Sequence, residues 1–344
     1  MAPADAMLTK AKLAKPKSSK DKLAKAQSAR AKIDATLSHY RIAVLVPSYN
    51  EEAAIGDVVA AFKAALPDST IYVYDNNSSD RTAEIAGEAG AVVRREMNQG
   101  KGYVVRRMFA DIDADIYLLV DGDATYDAPS ARVMIMQLIN GHLDMVVGTR
   151  VDQEKAAYRP GHRLGNRILT GFVSAVFGPR FTDMLSGYRV FSRRFVKSFP
   201  VLSGGFEIET ELTIHAIELG MPVAEIATPY YSRPEGSASK LNTWRDGLRI
   251  LWTIARLYKS ERPLPFFAGI GFVLGLASVV LSIPVFLTYL HEGIVPRLPT
   301  ALASTGLMLL AFLSLTCGLV LGTVTRGRRE VKMLAYLRQS PNSD

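Results

Sequence analysis

The chain has 344 residues, 48% of them hydrophobic, and a formal net charge of +8. This composition excludes an intrinsically disordered protein, and the single cysteine, Cys317, excludes an intrachain disulfide bond. The positive charge is concentrated in the Lys-rich first 36 residues, where no aromatic or groove-reading motif accompanies it, so we expect no nucleic-acid partner. Contact with anionic lipid and a solvated tail are the two remaining interpretations of this segment.

Residues 1–38 are predicted to be a basic tail, disordered or partly helical, without the apolar stretch of a secretory signal peptide. Strands and helices then alternate, which predicts an α/β fold with a mostly parallel sheet and helices on both faces. The predicted strands are residues 42–46, 70–74, 91–93, 116–120, 145–148, 186–191 and 223–231. The predicted helices begin after Glu51–Glu52 and near Arg81, and cover residues 98–110, 130–140, 162–176 and 206–219.

Polar clusters follow the carboxyl ends of these strands, where ligands bind in open parallel sheets. After the apolar run 116–120, Asp121 and Asp123 are separated by Gly122. If the strand alternation continues, both carboxylates face the same side and repel each other unless a cation lies between them. Mg²⁺ or Mn²⁺ would suit these oxygen ligands, and the pair then predicts a metal site that holds a diphosphate. An Asp-Gly turn with two solvated acids is the alternative.

The C-terminal part of the chain is predicted to be a membrane anchor. Residues 266–290 and 300–325 carry no charged side chain, and each run exceeds the roughly 20 residues that span a bilayer. An amphipathic helix over residues 241–260 precedes them, lying on the bilayer surface or on the soluble domain. Basic residues flank the outer ends of both runs, so the positive-inside rule predicts that the catalytic domain and the basic tail, 326–344, are both cytoplasmic. The expected location is the inner (plasma) membrane, which the chain crosses more than once.

Seven motifs occur in one order along residues 40–260. They are VPSYNEE (46–52), DNNSSDRT (75–82), NQGKG (98–102), DGD (121–123), GTR (148–150), SGYRVF (186–191) and the loop 233–240. Together they resemble family 2 inverting glycosyltransferases of the dolichol-phosphate mannosyltransferase and bactoprenol glucosyltransferase type. The resemblance implies a GT-A domain over residues 39–240, a nucleotide-sugar donor and a polyprenyl phosphate acceptor, undecaprenyl or dolichyl. The two-helix hairpin, 264–325, fits the membrane-anchored members.

The same resemblance implies roles for individual residues. Donor-binding positions are Pro47, Tyr49, Glu51, Asp75, Lys101 and Gly122, with Asp75 accepting from a base N–H group. Asp121 and Asp123 would hold the metal against the donor diphosphate, and with Arg150 they form the predicted catalytic set. Relatives often have a second acid where this chain has Asn76, and this difference leaves the identity of the donor's nucleobase open. NQGKG is interpreted equally well as a short turn at the start of a helix or as a loop that places the Lys101 charge near the donor.

On the acceptor side, the resemblance implies that four basic residues bind the phosphate: Arg150, Arg163, Arg233 and Lys240. A phosphate monoester is already largely ionised near neutral pH, because its second pKa is about 6, so this reaction needs positioning and charge balance more than proton transfer, and the use of a general base stays open. Asp183, Glu207, Glu209 and Glu211 remain as bases or positioning groups, with helix-surface acids as the favoured interpretation of the three glutamates. His215 is predicted to be structural.

Two other functions compete with this interpretation. One is a membrane glycosyltransferase that acts on a lipid or sugar hydroxyl, although the QxxRW motif of processive members is absent from the sequence. The other is a nonenzymatic nucleotide-binding membrane adaptor, against which the intact Asp121 and Asp123 argue. The sequence mildly favours UDP as the nucleotide, leaves the sugar open, and leaves a monomer or a homo-oligomer equally open.

Overall fold

The structure is a computed structural model that describes residues 28, 31–152, 171, 181–205, 207–233, 252, 256 and 258–339. The chain divides into two units at Tyr40 and Arg41. Residues 31–37 of the first unit are helical. The rest of the basic tail, most of the predicted helices 162–176 and 241–260, and the loop residues 234–240 lie outside the described part of the chain.

One mixed seven-stranded sheet forms the centre of the second unit, in the order β3-β2-β1-β4-β6-β5-β7. Strand β6 is antiparallel to its neighbours β4 and β5, and every other pair is parallel. The prediction of a mostly parallel sheet is therefore confirmed. The strands are β1 (Ile42–Ser48), β2 (Thr70–Asp75), β3 (Val92–Arg95), β4 (Ile116–Leu119), β5 (Met145–Asp152), β6 (Arg189–Ser192) and β7 (Val223–Tyr230).

Helices cover both faces of this sheet, as predicted. They are α1 (Ile55–Ala65), α2 (Thr82–Glu88), α3 (Lys101–Asp111), α4 (Ser130–Asn140), α5 (Arg193–Ser198) and α6 (Ile208–Glu218). The central strands β1 and β4 are apolar on both faces because helices cover both, and all four residues of β4 are buried. On one side the core contains the stacked rings of Phe191 and Phe195, whose centroids are 4.6 Å apart.

Three predicted strand boundaries were wrong in ways that affect the site. Strand β4 ends at Leu119, so Asp121 and Asp123 lie in the turn that follows, where Ala124 has a φ of +58°. Side-chain alternation along a strand therefore does not orient the two acids. Strand β5 continues past Gly148 and includes Arg150, which the sequence analysis placed after the strand. Strand β6 begins at Arg189 instead of Ser186.

A hairpin of two long helices ends the described chain: α7 (Pro263–Glu292) and α8 (Leu298–Leu337). Both are long and apolar enough to cross a membrane, and few side chains of their apolar segments are buried within the protein. Side-chain hydroxyls join the two helices. Ser278 donates to the Ser304 carbonyl at 2.6 Å, and Ser314 donates to the Phe267 carbonyl at 2.8 Å. These features indicate association with a membrane.

Candidate active site

The predicted site residues that the structure describes gather at one edge of the sheet. Strands β1 and β2 are parallel and in register there, with Ser48 opposite Asp75 at their carboxyl ends. Strands β4 and β5 end at the same edge, because each is antiparallel to β6, which lies between them. Asp121 follows β4, and Arg150 lies near the end of β5. This edge is where open α/β sheets bind ligands.

Lys101, the first residue of α3, joins two carboxylates at this edge. Its Nζ atom lies 2.5 Å from Asp121 Oδ1 and 2.5 Å from Glu209 Oε1. The Lys101 and Glu209 side chains are only 10% and 6% exposed. Burial alone would lower the pKa of Lys101, but the two carboxylates outweigh it, and the pKa is raised. Lys101 is therefore a permanent positive charge beside the first acid of the DxD sequence.

Asp123 is buried and fully engaged. Its Oδ1 atom accepts hydrogen bonds from the Thr125 hydroxyl at 2.6 Å and the Thr125 N–H at 3.3 Å. Its Oδ2 atom lies 2.6 Å from Nη2 of Arg233, which the sequence analysis assigned to the acceptor phosphate. Burial raises the pKa of Asp123 and the charge of Asp121 raises it further, so the two acids lie within electrostatic reach of each other.

Two glycines let the chain pack closely around these acids. A Cβ atom at Gly187, just before β6, would collide with the Asp121 carboxylate. A Cβ atom at Gly122 would lie 2.8 Å from the Ser48 hydroxyl at the end of β1. A larger residue at position 122 would therefore push the turn away from β1, and the donor-binding role of Gly122 stays a prediction.

Arg150 forms a bidentate ion pair with Asp183. The distances are 2.7 Å from Nε to Oδ2 and 2.7 Å from Nη2 to Oδ1. Burial alone would raise the pKa of Asp183, but the Arg150 contacts outweigh it and lower it. The guanidinium also lies over the Tyr230 ring, 5.7 Å from its centroid. Arg150 is therefore held rigidly near the end of β5, between the Asp183 carboxylate and the Tyr230 ring.

Asp75 ends β2 and is almost fully buried. Its Oδ1 atom accepts from the Ser78 N–H at 3.2 Å, and Arg95 Nε lies 3.4 Å from Oδ2. Among the residues that the structure describes, Oδ2 receives no hydrogen bond. Because a buried carboxylate oxygen without a donor is costly, this atom has the chemistry to accept from a nucleobase N–H. Binding of the donor's nucleobase by Asp75 stays a prediction.

The neighbouring Asn76 has a different use. Its Nδ2 atom donates to the carbonyls of Glu96 and Asn98 at 3.0 and 2.8 Å, and its Oδ1 atom accepts from the Gly100 N–H at 2.7 Å. The amide therefore holds the loop that leads to Lys101. An aspartate could supply only the acceptor, so the departure from the family pattern has a structural reason in this chain.

Pro47, Tyr49 and Glu51 lie at or just after the end of β1, next to Asp75. The Glu51 N–H donates to the Thr82 hydroxyl at 2.8 Å, and the Glu51 carbonyl accepts from the first turn of α1. These contacts fix the loop between β1 and α1. Arg163 and Lys240, the other two predicted acceptor-phosphate residues, lie outside the described part of the chain.

Interpreting the glutamates of α6 as helix-surface acids was wrong for two of them. Glu209 is buried against Lys101, and Glu211 accepts from the N–H groups of Leu202 and Ser203 at 3.0 and 2.9 Å. In EIETE the three acids occupy every second position, a spacing that does not separate these roles on a helix. Acids are also common in the first turn of a helix, so the sequence carried no signal for these two contacts.

The pair of glycines around Lys101 explains the NQGKG motif. Gly100 has a φ of +140°, and a Cβ atom at Gly100 or Gly102 would collide with the backbone of Ser203 and Gly204. The Gly102 N–H also donates to the Gly204 carbonyl at 3.2 Å. Two backbone segments therefore touch directly, which brings Lys101 within reach of Glu209 on the following helix. The motif is more than a turn at the start of a helix.

Comparison with known proteins identifies the group to which these features belong. The family model for glycosyl transferase family 2 matches residues 43–199. The glycosyltransferase AglJ of Haloferax volcanii is 36% identical over 260 residues, which cover 74% of this chain and 85% of AglJ. A dolichyl-phosphate hexose transferase of the same organism is 28% identical over 221 residues, which cover 64% of this chain and 95% of that protein.

A solved structure is similar to this fold. It is glucosyl-3-phosphoglycerate synthase from Mycobacterium tuberculosis, crystallised with Mn²⁺, UDP-glucose and phosphoglyceric acid. The match has a TM-score of 0.56 at 22% identity and covers 67% of this chain and 82% of the synthase. At this identity the similarity establishes the GT-A fold only, in agreement with the predicted fold class.

Proposed function

The chain belongs to glycosyl transferase family 2 and is a glycosyltransferase, and we propose that it transfers a hexosyl group from a nucleotide-diphospho-sugar to a polyprenyl phosphate. The donor is a UDP-sugar, and transfer proceeds with inversion at the cytoplasmic face of the inner membrane. The product is a lipid-linked monophosphate sugar for envelope glycan assembly. A relative named as a dolichyl-phosphate hexose transferase and the apolar hairpin support this proposal.

One observation carries the proposal. The two acids after β4 and three basic side chains converge on a single edge of the sheet: Lys101, Arg150 and Arg233. Carboxylates of this kind hold a cation, whereas guanidinium groups bind phosphate by bidentate hydrogen bonds. A site that receives one diphosphate and one phosphate monoester needs both kinds of group side by side.

The acids fit a divalent metal. Asp121 and Asp123 supply hard oxygen donors, and the charge of Asp121 raises the pKa of Asp123, so a cation that replaced the Arg233 guanidinium at Asp123 Oδ2 would relieve their repulsion and free Arg233 for the acceptor phosphate. Among the described residues, no group of three or more acids, histidines or cysteines is arranged to bind a metal, so Asp121 and Asp123 are the residues that would hold it. Bound Mg²⁺ or Mn²⁺ would stabilise the negative charge that accumulates on the leaving nucleoside diphosphate.

The protein's own residues then have distinct tasks. Arg150 and Arg233 orient the acceptor phosphate, whose oxygen attacks the anomeric carbon. The bond from that carbon to the donor's β-phosphate oxygen breaks, and its electron pair leaves with the nucleoside diphosphate. Lys101 neutralises part of that charge, and Asp75 accepts a hydrogen bond from an N–H group of the nucleobase. No proton transfer is needed because the attacking oxygen is already ionised. The enzyme therefore accelerates the reaction by positioning the two substrates and balancing their charge.

The test is a donor panel with the full-length protein in detergent. UDP- and GDP-sugars carrying labelled hexoses are incubated with Mn²⁺ and either polyprenyl phosphate or polyprenol, and the products are identified by mass. We expect an acid-labile polyprenyl monophosphate hexose from one UDP-sugar. The Asp123→Ala variant, analysed in parallel, should give none. Product from polyprenol instead would establish a hydroxyl acceptor, and donor binding without product would establish an adaptor.

A further inference from the structure

Helix α8 continues well beyond its apolar segment. Residues 326–337, here called the α8 extension, contain four basic side chains and continue the helix to Leu337. The extension packs on the catalytic domain, where Met333 and Tyr336 contact the hydrophobic core. Three polar contacts accompany this packing: two are to the catalytic domain, and the third is to the start of the hairpin.

The first contact is a hydrogen bond to a buried acid. The Tyr336 hydroxyl donates to Asp144 Oδ2 at 2.8 Å. Asp144 has no exposed surface, and its Oδ1 atom accepts from the Ser192 hydroxyl at 2.6 Å and from Arg194 Nε at 3.2 Å. The Arg194 guanidinium also lies over the Tyr336 ring, 5.1 Å from its centroid. Since a buried carboxylate must be hydrogen-bonded, Tyr336 completes a site built into the domain.

The second contact is an ion pair between the extension and α6. Lys332 Nζ lies 2.7 Å from Glu218 Oε2, and the two side chains are 20% and 8% exposed. Glu218 ends α6, whose first turn carries Glu209, the partner of Lys101. A single helix of 11 residues therefore connects the extension to the candidate active site.

The third contact joins the extension to the start of the hairpin. Arg328 Nη2 and the hydroxyl of Thr325, the residue just before the extension, both donate to the Ser260 carbonyl, at 3.0 and 3.1 Å. Ser260 lies three residues before α7. The base of the hairpin is therefore closed by hydrogen bonds, and a rigid helix extends from it onto the catalytic domain.

We propose that Lys332 and Tyr336 are positioning residues that hold the catalytic domain at a fixed orientation to the bilayer, so that the phosphate of a membrane-embedded acceptor reaches the site. This inference rests on the proposed lipid acceptor. A domain on a loose tether would sample many orientations, and few of them would present the sheet edge to the headgroup. Fixing the orientation raises the effective concentration of acceptor phosphate at the site. The orientation of the domain to the bilayer does not change the effective concentration of an acceptor that diffuses freely in water.

The experiment compares two acceptors with the full-length protein. One is polyprenyl phosphate in phospholipid vesicles that contain the enzyme, and the other is water-soluble citronellyl phosphate in detergent. We expect Lys332→Glu and Tyr336→Phe to lower kcat/KM for the vesicle acceptor, the former by at least about tenfold. The kcat/KM for citronellyl phosphate and the Kd for the nucleotide should stay within about twofold of wild type. The nucleotide Kd also shows that each variant is folded.

A charge swap separates positioning from general damage. Glu218→Lys should impair the vesicle reaction as Lys332→Glu does, and the double variant should recover most of it because the ion pair re-forms with reversed sign. Arg329→Glu is the matched control, since Arg329 is exposed on the same extension and carries the same charge. It should leave both reactions near wild type.

Several results would overturn the proposal. They are equal losses with both acceptors, a double variant no better than the single ones, and an Arg329→Glu loss as large as that of Lys332→Glu. A wild-type enzyme that glycosylates neither phosphate would instead refute the proposed function, and with it the lipid acceptor. A wild type that uses both, with unchanged vesicle kinetics in Lys332→Glu, refutes only the positioning role.

Discussion

Replacing Lys101 with methionine tests whether this residue neutralises the site. The substitution keeps an unbranched apolar side chain one atom shorter than lysine and removes the ammonium group that lies 2.5 Å from both Asp121 and Glu209. Removing one partner of a buried ion pair destabilises a protein by about 3–5 kcal/mol, because the other charge is left buried and unpaired. Glu209 meets that condition, whereas the Asp121 side chain is 29% exposed and is partly screened by water.

We therefore take the lower value and expect Lys101→Met to lose about 3 kcal/mol of unfolding free energy. For a domain of this size, each kcal/mol corresponds to about 2–4 °C, so Tm should fall by about 6–12 °C. The measurement is thermal unfolding of the full-length protein in detergent. Adding Mn²⁺ without donor should stabilise the variant more than wild type, because Asp121 no longer shares its charge with an ammonium group.

The double variant Lys101→Met, Glu209→Gln is the control for the stranded charge. Glutamine is nearly isosteric with glutamate and neutral, so the double variant should regain most of the lost Tm. Two results would refute the reasoning. One is a free energy of unfolding for Lys101→Met that differs from wild type by less than about 1 kcal/mol, a normal value for a surface ion pair. The other is a double variant that is less stable than Lys101→Met.

Three further predictions address individual side chains. His215 is buried beside Ser198 and the Phe195 and Phe199 rings, and burial, with a smaller effect of Lys332, lowers its pKa to about 3. The pKa of His215 in the folded protein lies below its unfolded value of about 6.5, so the unfolded chain binds the proton first as pH falls. The free energy of unfolding should therefore decrease by about 2 kcal/mol between pH 7.5 and 5. Urea unfolding of His215→Gln should lack this decrease, and a pH dependence equal to that of wild type would contradict the prediction. Asn76→Asp removes two hydrogen-bond donors to the loop before Lys101, so the donor KM should rise several-fold with a smaller change in kcat, and an unchanged donor KM in steady-state assays would argue against the holding role. Arg233→Ala should weaken acceptor use more than donor binding, measured as acceptor KM against nucleotide Kd, and full activity would remove Arg233 from the site.

Much of the fold could be predicted because its signals are local. Strands β1 and β4 are short apolar runs, and α4 was predicted with its observed bounds. The antiparallel direction of β6 could not be predicted, since it depends on how the chain returns across the sheet and not on the residues of the strand. The end of β4 was also missed, because Val120 is as apolar as the residues before it and Asp121 is the first polar signal.

The side-chain pairings of the site were beyond the sequence for a physical reason. Lys101 and Glu209 are 108 positions apart, and Asp123 and Arg233 come from different loops. No local periodicity encodes such contacts, because they exist only after the sheet has brought the strand ends together. The Asn76 amide is a further example, since its three partners belong to a loop more than 19 residues away.

The reversed direction of β6 sets the spacing between the acidic and the basic side of the site. Neighbouring strands lie about 4.8 Å apart, so the ends of β4 and β5 are separated by about 10 Å, with β6 between them. At this edge β6 begins instead of ending, and Gly187, two residues before its first residue, leaves the space that the Asp121 carboxylate occupies. A side chain at position 187 would therefore displace Asp121 and change its distance from Arg150.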